Sequence, residues 1–376
     1  MDNLPNSQAA IPPTDPKRIL IILTGAIGDV VRALPLLRRI RRGFPGAHIA
    51  WAIEPKSAPI LEAHPWLDET ILYDRRHAPW SFAPFLKRVR DGRFDLVIDL
   101  QRHLKSGIIS MVSGARDRIG FSAENTKELN HLFSTRRIEP QPEMRLKLLQ
   151  YQAFGDVLGL PAVPIEFGLS ASQTERERAS NLLKDAPRPR LGVILGSSWP
   201  SRIYFPKSIA AVIRGVCGRT HANGGGPALF PVLLGGPDET ALASDVMREL
   251  GDLEALNLAG KTSLRDLIAI FPECDAAFGP DSGPMHIAAA VGCPIVSLWG
   301  ATSPKRSAPW GFDDLAISGE IPCHPCYLRK CPVGRECMHR IEPETVIDAL
   351  RRASNFTRHR LAKEIAPTAS AGGVSR

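Results

Sequence analysis

Short apolar runs alternate with amphipathic stretches along almost the whole chain. The runs are rich in Ile, Val and Leu with little polar alternation, which is typical of parallel strands buried on both faces. They are Arg18–Thr24, His48–Ile53, Leu96–Leu100, Leu191–Leu195, Phe230–Gly235, Ala276–Gly279 and Ile295–Trp299. The stretches with helical spacing are Val30–Arg42, Ala83–Arg90, Glu143–Leu158, Glu175–Leu183, Pro206–Cys217, Glu239–Leu250 and Met285–Val291. This alternation predicts an α/β architecture with parallel sheets.

The strand–helix pattern begins twice, at Arg18 and again at Leu191, after the proline-containing stretch Asp185–Arg190. We therefore predict two doubly wound, Rossmann-like domains facing a central cleft, with ligands beyond the carboxyl ends of the strands. The predicted parts are an N-terminal tail (1–16), a first domain (17–165), a linker (166–190), a second domain (191–354) and a basic, disordered tail (355–376).

Composition narrows the class of protein. With 376 residues, 44% apolar and 23% charged, the chain has an ordinary globular composition. No run approaches the roughly 18 apolar residues of a membrane-spanning helix, and the start lacks the pattern of a signal peptide. Seven cysteines are too few for a secreted disulfide scaffold. We expect a cytoplasmic protein without a transmembrane segment.

The net charge of +8 is concentrated near the N-terminus, where residues 17–42 hold seven basic residues and one acidic residue, Asp29. Such a field favours an anionic partner, namely a phosphorylated ligand, a membrane surface or a nucleic acid, but a solvated helix face has the same pattern. No recognition motif or interleaved aromatic pattern supports nucleic-acid binding. The sequence therefore predicts no nucleic-acid partner.

The first candidate site is Thr24–Asp29, between the first strand and the arginine-rich helix. Gly25 and Gly28 allow a tight turn and leave room for a ligand. Asp29 falls near the helix start, where a carboxylate can cap the helix or act as a general base. The spacing is not the full dinucleotide fingerprint, so nicotinamide binding is not indicated.

Two further strand ends carry polar turns. Ser197, Ser198 and Arg202 follow the first strand of the second half, and such side chains suit phosphate oxygens, although a hydroxyl-rich turn would look the same. Asp238 and Glu239 follow the next strand, where they can bind a ribose hydroxyl or begin a helix.

The most specific turn is Gly279–His286, where a strand ends and a helix begins. The free backbone N–H groups of Ser282 and Gly283, together with the helix dipole, form a natural site for a diphosphate. His286, on the first helical turn, can brace Asp281 or approach the ligand. A small-residue turn, Leu298–Pro304, ends the next strand on the same edge.

Together these residues resemble glycosyltransferase family 9, the heptosyltransferase-like enzymes of lipopolysaccharide core assembly, over about residues 17–350. The most specific elements are Gly28-Asp29 followed by Pro35, the segment Asp281–Ala288, and Leu298–Pro304. The resemblance implies a GT-B fold and inverting, metal-independent transfer of a heptose-like sugar. The implied donor is ADP-heptose, bound by the second domain. The implied acceptor is a lipid-anchored oligosaccharide at the inner membrane surface, so peripheral attachment to that membrane is also expected.

The resemblance also implies roles for individual residues. Asp29 matches the catalytic base, and Arg32, with the other arginines of its helix, would serve the anionic acceptor on the first domain. The donor-binding residues implied are Ser197, Ser198, Arg202, Glu239, Asp281, Ser282, Gly283 and His286. No cofactor is required for this chemistry. Two alternatives remain: a transferase or epimerase that uses another sugar nucleotide, and a non-catalytic binding protein on the same scaffold.

A cysteine cluster lies near the end of the second domain. Its four thiols, with the spacing C-x2-C-x4-C-x5-C, can form a structural zinc site, although free thiols or redox-sensitive pairs fit the same spacing. They are Cys323, Cys326, Cys331 and Cys337.

Overall fold

The computed structural model describes residues 15–77, 80–217 and 228–353. The predicted N-terminal tail falls outside these residues up to position 14, and the predicted tail 355–376 falls outside them entirely.

Twelve strands are seen in the described part of the chain, and every apolar run identified in the sequence overlaps one of them. They are β1 (Arg18–Ile22), β2 (His48–Ile53), β3 (Glu69–Leu72), β4 (Leu96–Asp99), β5 (Asp117–Gly120), β6 (Arg136–Arg137), β7 (Arg190–Ile194), β8 (Phe230–Leu234), β9 (Leu256–Asn257), β10 (Ala276–Pro280), β11 (Ile295–Trp299) and β12 (Ala316–Ser318).

The helices lie between the strands, with 3-10 turns in several loops. They are α1 (Ile27–Gly43), α2 (Phe82–Asp91), α3 (Leu104–Val112), α4 (Lys147–Val157), α5 (Gln173–Leu182), α6 (Pro206–Cys217), α7 (Thr240–Leu250), α8 (Leu264–Ile270), α9 (Gly283–Ala290), α10 (Pro304–Ser307) and α11 (Glu336–His339). Residues 343–353 are also helical.

The chain divides into two compact units, each built on one parallel six-stranded sheet. Unit 1 comprises the described residues up to Ala171 together with residues 303–310, and its strand order is β3-β2-β1-β4-β5-β6. Unit 2 comprises the described residues from Ser172 to Thr302 and from Gly311 onward, and its strand order is β12-β11-β10-β7-β8-β9. Both orders are those of doubly wound sheets. The predicted fold class of two Rossmann-like domains is confirmed.

The central strands of both sheets are buried, as their apolar runs predict. In unit 1, Ile19–Ile22 and Ile49–Ile53 are at most 1% exposed, and in unit 2 Phe278 and Leu298 are equally buried. The strands that the sequence pattern did not reveal are shorter or lie toward the sheet edges, where polar residues are tolerated. They are β3, β5, β6, β9 and β12.

Two segments lie differently from the predicted domain bounds. The predicted linker contains α5, which begins at a capping box formed by Ser172 and Glu175 and packs on α8 within unit 2. The segment Ser303–Trp310, predicted within the second domain, groups with unit 1. The reason is packing: α10 contacts α4, and Arg32 Nη1 donates to the Ser307 carbonyl oxygen over 3.4 Å.

Candidate functional site

The Asp29 carboxylate of unit 1 is held by two cations. It lies on the first turn of α1, directly after the loop that follows β1. Arg32 Nη2 donates to Asp29 Oδ1 over 2.5 Å, and Lys147 Nζ donates to the same oxygen over 2.7 Å. Asp29 Oδ2 makes no hydrogen bond with any residue that the structure describes. The residue before the helix is Ala26 and the carboxylate caps no backbone amide, so the helix-cap interpretation is wrong.

This pairing keeps Asp29 ionised. Burial by itself would raise the pKa of the carboxyl group, but the nearby charges of Lys147 and Arg32 outweigh it and hold that pKa well below its usual value. Burial also lowers the pKa of Lys147 to about 8, against the opposing effect of Asp29. Lys147 is therefore the group of this cluster that titrates just above neutral pH.

Three residues around this carboxylate were not recognisable as site residues from the sequence. Lys147 arrives on α4, a helix 118 residues further along the chain. The Tyr151 hydroxyl lies one turn further on α4; it is buried and has no hydrogen-bond partner among the described residues. Arg306 arrives on α10, and its charge acts on both Lys147 and Tyr151. Only tertiary packing brings residues so far apart in sequence to Asp29.

Three of the arginines that follow Arg32 on α1 make contacts within unit 1, whereas Arg42 is exposed. Arg39 is 4% exposed and donates to carbonyl oxygens of Gln152, Leu160 and Pro161. A side chain at Gly155 would collide with this guanidinium. Arg38 pairs with Glu166 over 2.8 Å, and Arg41 pairs with Asp68 over 2.5 Å. The dense positive charge is thus largely neutralised inside unit 1.

A cavity of about 400 Å³ opens at the carboxyl edge of the first sheet. Its lining includes Gly25 and Ala26, which lead into Asp29, and it carries more basic than acidic side chains. The basic ones are Lys56, Arg75, His103 and Lys105, and the acidic one is Glu54. The excess of basic over acidic side chains favours an anionic ligand in this cavity.

Beneath the cavity, the buried carboxylate of Asp99 ties three segments together. Its Oδ2 accepts from Ser106 Oγ and from Asn130 Nδ2, each over 2.9 Å, and its Oδ1 accepts from the Gln101 amide. Burial raises the pKa of Asp99 to about 6 despite these hydrogen bonds. The network joins the end of β4 to α3 and to the 3-10 turn Asn130–Phe133.

In unit 2, Asp281 holds together three of the predicted turns. Its Oδ2 accepts from Thr302 Oγ1 over 2.7 Å and pairs with Arg202 Nη1 over 3.0 Å. Its backbone oxygen accepts from Ser197 Oγ over 2.8 Å. Arg202 also stacks on Trp199, with its Cζ 4.0 Å from the ring centre. Three loops therefore meet at one carboxylate, and Thr302 is a member that the sequence reasoning missed.

The helix α9 begins two residues after Asp281. Ser282 precedes its first residue, Gly283, and the Ser282 side chain caps no backbone amide. Ser282 Oγ is buried and has no partner among the described residues. His286, on the first turn of α9, is buried, with 4% of its surface exposed. The open amides and the unpaired hydroxyl suit an anionic oxygen at this helix start.

Among the described residues, neither Glu239 nor Ser198 forms a hydrogen bond with Asp281. Glu239 Oε2 accepts from the Gly236 amide over 2.7 Å and so closes the turn after β8. A side chain at Gly196 would collide with Glu239, so the two loops pass close together. Ser198 is exposed.

The four clustered cysteines lie in a segment that supports these loops. The Tyr327 amide donates to the Ala301 carbonyl oxygen over 2.7 Å, and Ser201 Oγ donates to the Leu328 carbonyl oxygen over 2.6 Å. Cys323 is exposed and Cys337 is buried. Within the described residues no group of three or more His, Cys, Asp or Glu side chains is arranged to hold a metal ion. The zinc site stays a prediction.

In residues 15–77, 80–217 and 228–353, no helix combines the length and the hydrophobicity needed to cross a bilayer.

Comparison with known proteins gives a consistent result. Residues 83–336 match the model of glycosyltransferase family 9 (heptosyltransferase). The chain is 27% identical to the lipopolysaccharide core heptosyltransferase OpsX of Haemophilus influenzae over 312 residues. The aligned region covers 81% of this chain and 84% of that protein.

Two solved structures share the fold. A family 9 glycosyl transferase from Veillonella parvula has a TM-score of 0.76 at 22% identity, covering 93% of this chain and 99% of its own. The ADP-heptose lipopolysaccharide heptosyltransferase II of Escherichia coli has a TM-score of 0.70 at 21% identity, covering 91% and 99%.

Proposed function

This chain belongs to glycosyltransferase family 9, and from that premise we propose that it transfers a heptose from ADP-heptose to a lipid-anchored lipopolysaccharide core acceptor. Its similarity to lipopolysaccharide heptosyltransferases supports the general activity. The donor ADP-heptose, inversion at the anomeric carbon and independence from metal ions are the finer parts of the proposal. The observation that carries it is the Asp29 carboxylate, held through one oxygen and open at the other.

Asp29 is the proposed general base. A neutral acceptor hydroxyl is a poor nucleophile, so a carboxylate must take its proton as the attack proceeds. Asp29 Oδ2 accepts that proton while the acceptor oxygen bonds to the anomeric carbon. The bond from that carbon to the diphosphate oxygen breaks on the opposite face, and its electron pair leaves with the diphosphate. Attack from one face and departure from the other invert the configuration.

The turn at Asp281 is the proposed diphosphate site. The leaving nucleoside diphosphate gains negative charge as the bond breaks, and preorganised donors stabilise that charge. The first amides of α9 and Ser282 Oγ supply such donors. Arg202, held by Asp281 and Trp199, adds a positive charge. Asp281 acts through Arg202 and the loop backbone, so it is a positioning residue.

The basic cavity of unit 1 is the proposed acceptor site. Its cations suit the acidic sugars or phosphates of a core oligosaccharide. Arg32 is bonded to Asp29, the proposed base, and this pairing supports its predicted contact with the acceptor.

The direct test combines purified protein, ADP-heptose and a defined core acceptor. We expect ADP release coupled to extension of the acceptor by one heptose, whose anomeric configuration is read by NMR. Transfer should persist in the presence of a chelator. Release of ADP without extension, or no turnover at all, would contradict the proposal.

Calorimetric titration with ADP and with UDP separates the donor from its alternatives. Gly283→Val places a side chain at the first residue of α9 and should abolish ADP binding. Gly46→Val is the matched control, because a side chain there meets no atom within 4 Å. Tighter binding of UDP than of ADP would favour a transferase or epimerase for another sugar nucleotide. Binding of ADP without any turnover would favour the non-catalytic alternative.

A further inference from the structure

Unit 1 exposes several large apolar side chains on two adjoining elements. Leu104 and Met111 of α3 are 42% and 50% exposed, and Leu129 and Leu132 are 63% and 64% exposed. In contrast, the apolar residues of the sheet below are almost completely buried. A contiguous exposed apolar patch marks an interaction surface.

The helix spacing places these residues on one side of α3. Leu104, the half-buried Ile108 and Met111 are separated by four and three positions, so they share one helix face. The 3-10 turn Asn130–Phe133 packs against α3 so closely that a side chain at Gly107 would collide with Phe133. We call the residues Leu104, Ile108, Met111, Leu129 and Leu132 the α3 surface.

The surface is built on a rigid base. Leu129 has a left-handed backbone (φ 58°), which a branched side chain rarely adopts. The next residue, Asn130, is completely buried and donates to Asp99 Oδ2 and to the His103 carbonyl oxygen. Glu128 Oε2 accepts from the Leu104 amide over 3.1 Å. These contacts hold the leucines outward against the normal tendency of such residues to be buried.

Exposed positive charge lies on the same two segments of the chain as the α3 surface. Residues 101–118 and 127–137, which form it, contain seven Lys or Arg and two Asp or Glu. Lys127 and Arg137 are exposed, and Arg137 is bonded to the His131 carbonyl oxygen within the 3-10 turn. Exposed apolar side chains with exposed cations on the same segments match a bilayer surface that carries anionic headgroups.

The surface also adjoins the basic cavity. His103, Lys105 and Ser106, at the start of α3, line that cavity, and Leu104 lies among them on the outer face. A sugar chain in the cavity could thus remain attached to a lipid in the bilayer. We propose that the α3 surface docks unit 1 on an anionic phospholipid bilayer, its apolar side chains entering the headgroup boundary. The role of this docking in sugar transfer rests on the proposed function, whereas binding of the protein to the bilayer can be tested without it.

The test is flotation of the full chain with phosphatidylcholine vesicles, with and without phosphatidylglycerol. The wild type should bind the anionic vesicles, more weakly at high salt. The double variant Leu129→Ser/Leu132→Ser should bind at least about ten-fold more weakly. Lys127→Glu should weaken binding to anionic vesicles only. Val333→Ser is the matched control, because Val333 is equally exposed (65%) but lies in unit 2.

A transfer assay distinguishes failure of the docking proposal from failure of the proposed function. The double variant should match the wild type on an acceptor stripped of its acyl chains and be slower on the same acceptor in vesicles. Absence of transfer by the wild type on either acceptor would contradict the proposed function while leaving the flotation result intact.

Three results would overturn the docking proposal. The first is no binding of the wild type to anionic vesicles. The second is equal binding of the double variant, provided that thermal melting shows both proteins folded. The third is a dimeric wild type and a monomeric double variant by light scattering, because the surface would then join two copies of the chain.

Discussion

The two units each present an aspartate near the carboxyl end of a buried strand, but different groups are bonded to the two residues. Asp29 receives both of its cations on Oδ1, and its Oδ2 is open. Asp281 receives Arg202 and Thr302 on Oδ2, and its backbone oxygen receives Ser197. Two cations keep Asp29 ionised and so able to take a proton. Asp281 instead joins the loops of Arg202 and Thr302 to its own loop. The same residue type therefore suits a base in unit 1 and a brace in unit 2.

Replacement of the two aspartates should separate these roles most clearly. Asp29→Asn should lower kcat by about two orders of magnitude or more, because an amide cannot accept the proton. Its affinity for ADP should stay unchanged. Asp281→Asn should instead weaken ADP binding by about ten-fold, since the amide no longer pairs with Arg202. Steady-state kinetics and calorimetry would measure both. Near-normal turnover of Asp29→Asn would show that Asp29 is not the general base.

Arg202→Ala should give the next largest effect. The guanidinium is a charged donor beside the proposed diphosphate site, and its contact strengthens as the leaving group gains charge. We expect kcat/KM to fall by about ten- to a thousand-fold. Arg214→Ala is a control on α6 of the same unit, because Arg214 donates to a backbone oxygen at the surface. Equal kinetics of Arg202→Ala and Arg214→Ala would contradict the assignment of Arg202.

Lys147 should make the unit 1 site sensitive to alkaline pH. Burial lowers the pKa of Lys147 to about 8. The Lys147 side chain is therefore charged below about pH 8 and loses its charge as the pH rises above that value. The wild-type kcat should therefore decline above about pH 8, as Asp29 loses one of its two positioning donors. Lys147→Met should have kcat lower by about ten-fold near neutral pH, without this alkaline decline.

Lys147→Arg is the conservative control for that prediction. Arginine stays protonated throughout the accessible range, so this variant should regain activity and extend it to higher pH. An alkaline decline at the same pH in all three proteins would show that another group is responsible.

The cysteine segment should affect unit 2 alone. If Cys323, Cys326, Cys331 and Cys337 bind zinc, the purified, reduced protein should carry about one zinc per chain. Chelation should lower the melting temperature of unit 2 and weaken ADP binding slightly, because the segment supports the loops of Arg202 and Thr302. The Asp29 site should be unaffected. Elemental analysis that finds no metal would reject the site.

The sequence by itself determined the class of fold and the position of the candidate turns. Buried parallel strands require continuous apolar runs, and turns at strand ends require glycine and short polar residues, so both leave a local pattern. Asp29, Arg202 and Asp281 were therefore recognisable. Short strands such as β6 and β9, with two residues each, have no such pattern.

Only the tertiary structure decided what these residues contact. Lys147 reaches Asp29 from 118 residues away, and α10 joins unit 1 from the far half of the chain. The arginines of α1 look alike in sequence, yet Arg39 is buried against backbone oxygens while Arg32 pairs with the proposed base. Local patterns record how a residue meets its own strand or helix. A side chain's partner depends on packing between distant segments, which no local pattern specifies.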